Sequence, residues 1–250
     1  MAASRFSAGI HAVDKLLRLH RDKLHKLYID ERSKNPRLQA LRERARAAGV
    51  PVQGARSHRL DDMAQGTAHQ GVIAALKDLP NVDESALRDL VEAALARGEA
   101  PLLVLLDGVQ DPHNLGACLR SADAAGALAV VAPRKGSAGV TPATRKVASG
   151  AAETVPLVSV AALGRILDWL GDYGVRRVGT SDAATQTLWQ CDLTGPVAIV
   201  MGTESTGLSP AVAQRCDALI ALPMRGVVES LNVSVATGIC LFERMRQTHE

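Results

Sequence analysis

A stretch at 107–126, DGVQDPHNLGACLRSADAAG, places an amide and a guanidinium six residues apart. Asn114 follows an acidic turn that contains Pro112 and His113, and Arg120 lies further along the helical pattern that begins there. An arginine fork can grip a phosphate or stabilise a developing negative charge, and an amide can orient a neighbouring hydroxyl. The simpler alternative is that Asn114 only caps the helix and that His113 is a turn residue.

A second polar stretch, MGTESTGLSP at 201–210, follows an apolar run and precedes a short helical pattern. Gly202 and Gly207 bracket Glu204, and glycine lets a ligand approach the backbone closely. Glu204 is interpreted either as a structural acid, which accepts from loop amides or from a neighbouring arginine, or as a ligand contact. An ordinary strand-to-helix loop remains the alternative to a binding loop.

A third stretch, LPMRGVVESLNVSVATG at 222–238, runs from a strand through a loop into the last helical pattern. Ser230 and Asn232 stand at the predicted start of this helix, and Ser230 is of a type that caps helices. Asn232 is predicted inside the helix, where its side chain competes with the helix hydrogen bonds. An asparagine in that position points to a functional role.

The elements that must position these residues read as an α/β fold with a doubly wound parallel sheet, because nearly continuous apolar strands alternate with helices. The predicted strands are 102–107, 127–132, 154–158, 175–180, 197–202 and 218–223, and the helices are 114–126, 142–148, 160–172, 209–216 and about 230–246. No G-x-G-x-x-G, Walker or nucleophile-elbow pattern follows a strand, which disfavours a dehydrogenase or another ordinary nucleotide-binding enzyme.

The first part of the chain alternates more compactly and predicts a small α/β domain. Its predicted helices are 9–19, 35–48 and 57–64, and its predicted strands are 25–29, 50–53 and 71–76. The second helix opens at Asn35, a cap residue that Pro36 follows at the first helical position. A helical segment bracketed by Pro80 and Pro101 then joins two domains. The expected division is therefore 1–77, a connecting segment at 78–100, and 101–250.

Composition and cysteine usage are those of a globular protein in a reducing compartment. Of the 250 residues, 47% are hydrophobic and 22% are charged, and no apolar run approaches the roughly 18 residues of a membrane span. The start of the chain lacks the apolar core of a signal peptide, so we expect a cytoplasmic protein without a membrane partner. Four widely spaced cysteines predict free thiols and no metal site.

Charge is distributed unevenly along the chain. Residues 1–60 hold 14 Lys and Arg against 5 Asp and Glu, whereas 61–250 hold 15 against 21. A basic segment of this kind is typical of docking on nucleic-acid phosphates, and a solvated basic surface is the alternative. With 2% aromatic residues, base stacking is not expected to be the main device of recognition. The candidate RNA-binding residues are Arg18, Arg21, Lys23, Lys26, Arg32, Lys34, Arg37, Arg145 and Lys146.

The three polar stretches together resemble the motifs of the SpoU branch of the SPOUT (TrmH-like) RNA methyltransferases. The motif N-x-G-x-x-x-R is matched at Asn114, Gly116 and Arg120. The glycine-bracketed acidic loop is matched at Gly202, Glu204 and Gly207, and S-L-N-V-[SA]-x-A at Ser230, Leu231, Asn232 and Ala236. GIHAV near the start and AHQGVIA at 68–74 are similar to the small substrate-binding domain of the ribosomal subgroup.

The resemblance implies a C-terminal methyltransferase domain tied in a trefoil knot and a small N-terminal L30e-like α/β domain that binds the RNA substrate. It also implies a homodimer and the cofactor S-adenosylmethionine (S-adenosyl-L-methionine). By motif, the cofactor-binding residues are expected to be Met201, Gly202, Glu204, Gly207, Leu222, Met224, Gly226 and Leu231.

The implied reaction is methyl transfer to a ribose 2′-hydroxyl, with Asn114, Arg120, Ser230 and Asn232 as the catalytic set. Arg120 would either grip the phosphate beside the target nucleotide or accept the proton. The first and third motifs are especially similar to family members that methylate a guanosine of 23S rRNA, on free RNA or on a large-subunit assembly intermediate. A tRNA ribose methyltransferase and a non-catalytic ribosome-assembly RNA-binding protein are the alternatives.

Overall fold

The computed structural model describes residues 6–19, 21–64, 66, 68–76 and 82–248. The chain divides into two compact units, Met1–Pro80 and Asn81–Glu250, called here the first and the second unit. Helix α4 (Glu84–Ala96) belongs to the second unit rather than to a free connection, because Leu87 is fully buried in one core cluster with Leu103.

The first unit contains a four-stranded mixed sheet with three helices. Its strands are β1 (Phe6–Ala8), β2 (Leu24–Asp30), β3 (Val52–Ala55) and β4 (Val72–Leu76), and its helices are α1 (Ile10–Leu19), α2 (Pro36–Ala47) and α3 (Ser57–Ala64). The strand order is β1-β4-β2-β3, and β4 is antiparallel to both of its neighbours. As the sequence predicts, Asn35 caps α2: its side chain accepts from the backbone N–H of Arg37 at 2.9 Å.

The two faces of this sheet are covered unequally. On one face, α1 and α2 bury Leu27 and Ile29 of β2 in a cluster of aliphatic side chains. On the other face, the helix of the first unit that packs over Ile73 of β4 in the described residues is the eight-residue α3, and Phe6 and Tyr28 stay half-buried. We call this second side the open face.

The second unit contains the parallel sheet that the apolar runs predict. Its strands are β5 (Leu102–Leu106), β6 (Ala129–Pro133), β7 (Leu157–Val160), β8 (Arg176–Thr180), β9 (Gln186–Thr187), β10 (Val197–Met201) and β11 (Ala218–Ala221). The order is β7-β6-β5-β10-β8-β11-β9, and every pairing in the described residues is parallel. All residues of β5 and β10 are buried, as expected for central strands with helices on both faces.

Helices cover both faces of this sheet. They are α4 together with α5 (Pro112–Ala124), α6 (Pro142–Ala148), α7 (Leu163–Asp172), α8 (Pro210–Ala213) and α9 (Val233–Thr248). Alternate residues of β5 enter the two clusters: Val104 packs on the side of α5 and α9, and Leu105 packs on the side of α4 and α7.

Several element boundaries differ from the sequence prediction. The last helix begins at Val233, not near Ser230, and the predicted helix 209–216 is only the four-residue α8. The strand predicted at 154–158 lies at Leu157–Val160, and the two-residue β9 was not predicted. Local apolar pattern locates a buried element but does not show which residue takes the first helical hydrogen bond.

The final turns of α9 are fixed to the edge of the sheet where the strands begin. Arg244 is buried, and its guanidinium donates to the carbonyls of Ala100 at 3.4 Å and Gly195 at 3.3 Å. Gln247 donates to the carbonyl of Cys191 at 2.9 Å and accepts from the Leu193 N–H at 2.8 Å. Burial lowers the pKa of Arg244. Among the described helices, none has the length and apolarity needed to cross a membrane.

Candidate functional site

A cavity of about 330 Å³ lies at the carboxyl edge of the parallel sheet, where β8, β10 and β11 end. Thr180, Met201 and Leu222 line it from the ends of these strands, and the loops that follow close its sides. Ligand sites in open parallel sheets occupy this edge, because the loops after neighbouring strands converge there.

The loop after β10 is folded tightly on itself. Thr203 and Gly207 exchange two backbone hydrogen bonds at 3.1 and 3.0 Å. Gly207 has φ +64, which favours glycine. A Cβ atom at Gly202 would lie 2.1 Å from the backbone carbon of Gly207. Both glycines are therefore needed for the loop to turn back and present Glu204.

Glu204 joins the three sequence motifs through one oxygen. Its Oε1 accepts from Asn114 Nδ2 at 3.2 Å, from Asn232 Nδ2 at 3.1 Å and from the Val233 N–H at 3.0 Å. Asn232 Nδ2 also donates to Asn114 Oδ1 at 2.9 Å, across 118 residues of chain. We call these four residues the Glu204 junction. A carboxylate there is favoured because Val233 is the first residue of α9, and helix N-termini have free N–H groups and a partial positive charge.

Asn232 precedes α9, so its predicted position inside the helix is wrong. Its Oδ1 accepts from the N–H of Ser234 at 3.0 Å and from the Ser234 hydroxyl at 2.6 Å. Asn232 rather than Ser230 is therefore the residue that caps the helix. With two amide hydrogens and two lone pairs engaged, the Asn232 side chain has no capacity left for a ligand. Ser230 lies in the exposed loop before it and lines the cavity.

Asn114 is likewise not the cap of its helix. Asp111 caps α5, since its side chain accepts from the His113 N–H at 3.0 Å and Pro112 is the first helical residue. Asn114 lies in the first turn and points to the Glu204 junction. Its amide retains one N–H and one lone pair for another partner.

Arg120 is not brought to the same place. It is exposed on α5, does not line the cavity and has no hydrogen bond or ion pair with any residue in the described part of the chain. The packing of α5 is nevertheless close, because a Cβ atom at Gly116 would lie 2.6 Å from the carbonyl oxygen of Thr144 in α6. One interpretation of Glu204 was that it accepts from the arginine of the first motif. Its carboxylate instead accepts from Asn114 and Asn232.

Most of the residues expected at a cofactor line the cavity. Seven of the eight do so, namely Met201, Gly202, Glu204, Gly207, Leu222, Met224 and Leu231, whereas Gly226 lies outside the lining. The lining also contains residues that were not predicted from the sequence, namely Thr180 at the end of β8, Ser181 and Asp182 after it, and Leu219 and Ile220 in β11. The sequence contains a signal for Thr180, Ser181 and Asp182, because a predicted strand of a parallel sheet ends there in polar residues, and such strand ends lie at the ligand-binding edge.

The candidate RNA-binding residues differ in how free their charges are. Arg145 forms an ion pair with Glu153, which is only 4% exposed, so this charge is used inside the second unit. Arg18 forms an ion pair with Asp14 at 2.9 Å, Lys26 donates to Gln53, and Lys23 has a partner. The exposed members of the set are Arg18, Arg21, Arg32, Lys34, Arg37 and Lys146.

The four cysteines are free thiols, as predicted, and burial keeps them unreactive. Burial raises the pKa of Cys118 in α5 to about 11 and that of Cys216 to about 11. A thiol with such a pKa stays protonated near neutral pH and is not a nucleophile. Cys118 instead packs beneath the Glu204 junction, 3.5 Å from the Thr237 hydroxyl of α9.

Two family models match this chain. The SpoU rRNA Methylase family model matches residues 101–242, and a model for RNA 2′-O ribose methyltransferase substrate binding matches residues 8–82.

Two curated relatives that match nearly the whole chain share a name. The 23S rRNA (guanosine-2′-O-)-methyltransferase RlmB of Coxiella burnetii is 49% identical over 240 residues, which is 96% of this chain and 94% of the relative. The protein of the same name from Haemophilus influenzae is 48% identical over 240 residues and 96% of both chains.

Solved structures match either nearly the whole chain or its larger part. The SpoU methyltransferase AviRb from Streptomyces viridochromogenes, in complex with AdoMet, has a TM-score of 0.73 at 26% identity and covers 98% of this chain and 91% of its own. An AdoMet-bound rRNA methyltransferase from Sinorhizobium meliloti has a TM-score of 0.69 at 25% identity, covering 99% and 89%. A TrmH/SpoU tRNA modifying enzyme from A. aeolicus covers 63% of this chain and 84% of its own, with 31% identity and a TM-score of 0.55.

Proposed function

The chain belongs to the SpoU rRNA methylase family, and from this premise we propose that it methylates the ribose 2′-hydroxyl of a guanosine in 23S rRNA. It is an RNA methyltransferase, and S-adenosylmethionine is its cofactor. The observation that carries the proposal is the Glu204 junction, which gathers the three family motifs at the wall of one cavity.

The cavity has the chemistry that this cofactor requires. Met201, Leu222 and Leu231 offer apolar walls for an adenine ring, and the loop around Gly202 and Gly207 offers backbone groups for its polar edge. When bound, S-adenosylmethionine supplies a methyl group on a positively charged sulfur, so the leaving group is already activated. The protein has to add position and deprotonation.

The catalytic roles divide according to which side-chain atoms are free. All donors and lone pairs of the Asn232 side chain are engaged within the protein, so Asn232 acts as a positioning residue for Asn114. Asn114 keeps an N–H and a lone pair with which to orient the ribose, and Ser230 presents its hydroxyl in the cavity. Oε2 of Glu204 accepts no hydrogen bond from the described residues, so it is open to a ligand. A guanidinium has five N–H donors and no acceptor, so we assign Arg120 phosphate binding and stabilisation of the developing alkoxide rather than proton acceptance.

A homodimer would complete this site. Arg120 is exposed and lies outside the lining of its own cavity, which fits a residue that serves the cavity of a second copy. Val235 and Phe242 of α9 lie two helical turns apart and are 50% and 52% exposed, which gives the helix an apolar side that a second copy would bury. We propose that two such chains associate through this region.

The remaining proposals follow from family membership. The segment from β11 through α9 would thread a loop of the same domain and form a trefoil knot, with the chain divided functionally at 1–77, 78–100 and 101–250. The cytoplasm, where ribosomal RNA is made and assembled in bacteria, is the proposed location.

The substrate is proposed to be rRNA and not tRNA because of the first unit. The relatives named for 23S rRNA cover 96% of this chain, whereas the tRNA modifying enzyme covers 63%. Ribose methylation mapped on 23S rRNA and on bulk tRNA, each incubated with the protein and cofactor, tests this choice. We expect one methylated guanosine in 23S rRNA, and methyl transfer to tRNA alone would overturn the assignment.

Substitution of Arg120 tests the catalytic assignment. Arg120→Ala should lower kcat about a thousandfold while S-adenosylmethionine still binds, because the lost contact acts on the charge that develops in the transition state. Arg165→Ala, at an exposed arginine of α7, is the matched control and should leave kcat unchanged. If Arg120→Ala and wild type transferred methyl groups equally well, Arg120 would have no role in the mechanism. If wild type transferred no methyl group, a non-catalytic assembly protein would be favoured.

A further inference from the structure

The open face of the first unit contains both aromatic residues of the first 100 positions, Phe6 and Tyr28. Their rings meet edge to face, with centroids 6.5 Å apart. Both side chains are half-buried, because they pack at the margin of the small cluster that Leu60 and Ala64 of α3 form with Ile73. An aromatic pair therefore stands at the surface of a domain that is otherwise packed with aliphatic side chains.

Two cations lie over the same tyrosine. The Lys26 ammonium is 5.9 Å from the centre of the Tyr28 ring, and the Arg59 guanidinium is 5.4 Å from it. Such distances are within the range of cation–π attraction. Lys26 further donates to the neutral side-chain amide of Gln53 at 3.3 Å. Arg59 belongs to the basic segment 1–60 but is not among the candidate RNA-binding residues predicted from the sequence.

The charges of Lys26 and Arg59 are not paired with a carboxylate of the residues that the structure describes. Nearby Arg56, whose side chain is 71% exposed, forms a long ion pair with the Glu31 carboxylate at 3.9 Å. On α3, Asp61 is occupied with His69 at 3.0 Å. The Tyr28 ring and the Gln53 amide contact these cations without neutralising their charge, so Lys26 and Arg59 can still bind an anion.

We propose that this surface, formed by Phe6, Lys26, Tyr28 and Arg59, binds an unpaired nucleotide of the RNA substrate. The Tyr28 ring offers a stacking platform for a base, and Lys26 and Arg59 offer their charges to the phosphates on either side of it. Stacking on an aromatic ring combined with phosphate contacts from lysine and arginine is the chemistry of single-stranded RNA binding. The inference rests on the proposed function, since it assigns that RNA a contact site on the first unit.

The test compares two variants of this surface with a control on the covered face. Tyr28→Leu removes the ring but keeps an apolar side chain, and it should raise the KM for a 23S rRNA fragment about tenfold. Arg59→Gln should raise that KM about threefold and reduce the slope of binding against salt by about one counterion. Both should leave kcat at saturating RNA and the Kd of S-adenosylmethionine unchanged, as should Arg46→Gln on α2, which should also leave KM unchanged.

Photocrosslinking of wild-type protein to the same RNA gives an independent measurement that does not depend on how the variants fold. The peptide that carries Tyr28 should be crosslinked. Unchanged KM in both variants, or crosslinks confined to other peptides, would overturn the proposal while wild type still methylates 23S rRNA. If wild type transfers no methyl group to rRNA yet crosslinks at Tyr28, the proposed function fails and the RNA contact stands.

Discussion

The two sheets of this protein are covered in opposite ways. In the second unit both faces of the parallel sheet are packed against helices, and the residues of β5 and β10 are buried without exception. In the first unit one face is packed by two helices and the other by the short α3 alone. A sheet closed on both faces has only its edges and loops left for ligands, and the cavity indeed lies at a strand edge. A sheet with an open face offers side chains of the strands themselves.

This difference separates two kinds of site. At the edge of the closed sheet, the site is assembled from segments that are far apart in sequence. Asn114, Glu204 and Asn232 hold one another in place there, so a displacement of one affects the others. On the open face, Lys26 and Tyr28 are alternate residues of one strand, so local geometry alone places them together. The edge should therefore tolerate substitution far less than the face.

Gly202→Ala should give the largest effect, because it acts at the closed sheet's edge. The added methyl group would meet the backbone of Gly207 at 2.1 Å, and backbone cannot move aside as a flexible side chain does. We expect a loss of about 3 kcal/mol in the free energy of unfolding and no detectable binding of S-adenosylmethionine. Thermal unfolding and calorimetry measure the two quantities.

Gly195→Ala is the matched control, since nothing lies within 4 Å of a Cβ atom there. It should keep cofactor affinity and unfold within about 1 kcal/mol of wild type. If Gly202→Ala bound the cofactor normally, the loop after β10 would be able to adapt. The edge of the closed sheet would then not be less tolerant of substitution than the open face of the first unit.

Glu204→Gln should have an intermediate effect. The charge that faces the start of α9 is removed, and an amide replaces an oxygen that three N–H groups share. A hydrogen bond to a charged group is worth about 1.5–3 kcal/mol, so kcat should fall at least about tenfold as Asn114 loses its fixed position. Steady-state kinetics with saturating RNA give this number.

Glu84→Gln provides a comparison of the same type away from the cavity. Glu84 also stands in the first turn of a helix, and its carboxylate accepts from the Ala161 N–H at 3.1 Å. Its replacement should cost stability without lowering kcat. Equal kcat losses in the two variants would mean that the Glu204 junction has no special place in the reaction.

The smallest effects are expected from a matched pair of helix caps, Asp111→Ala in the second unit and Asn35→Ala in the first. Each side chain accepts from the N–H two residues ahead, at 3.0 and 2.9 Å. Each loss should therefore destabilise its own unit by about 1 kcal/mol. Only Asp111→Ala should also lower kcat, by about threefold at saturating RNA, because α5 carries Asn114. A kcat loss in Asn35→Ala of the same size would contradict this division between the units.

The sequence predicted the parts of the fold that depend on neighbours along the chain. Apolar runs located β5 and β10, and Asn35 followed by proline marked the start of α2. The three motifs indicated the residues that meet at Glu204. These features are local patterns, and local patterns are written in consecutive residues.

What the sequence did not reveal depends on contacts across the fold. The sequence predicts that α9 starts near Ser230 and offers Ser230 as one possible cap. The Glu204 carboxylate and the Asn232 side chain instead fix the first turn at Val233. Arg145 was predicted to bind RNA, yet its guanidinium forms an ion pair with the buried carboxylate of Glu153, eight residues away. Neither partner can be inferred from the spacing of residue types.

Helix α9 has a mechanical consequence as well as a chemical one. It is 16 residues long, a rod of about 24 Å, whose first turn is fixed at the Glu204 junction and whose last turns are fixed by Arg244 and Gln247 to loops at the opposite edge of the sheet. A stiff rod that is clamped at both ends transmits a displacement from one end to the other. The contacts of Arg244 with the carbonyls of Ala100 and Gly195 therefore help to hold the cavity wall in place from the far end of the helix.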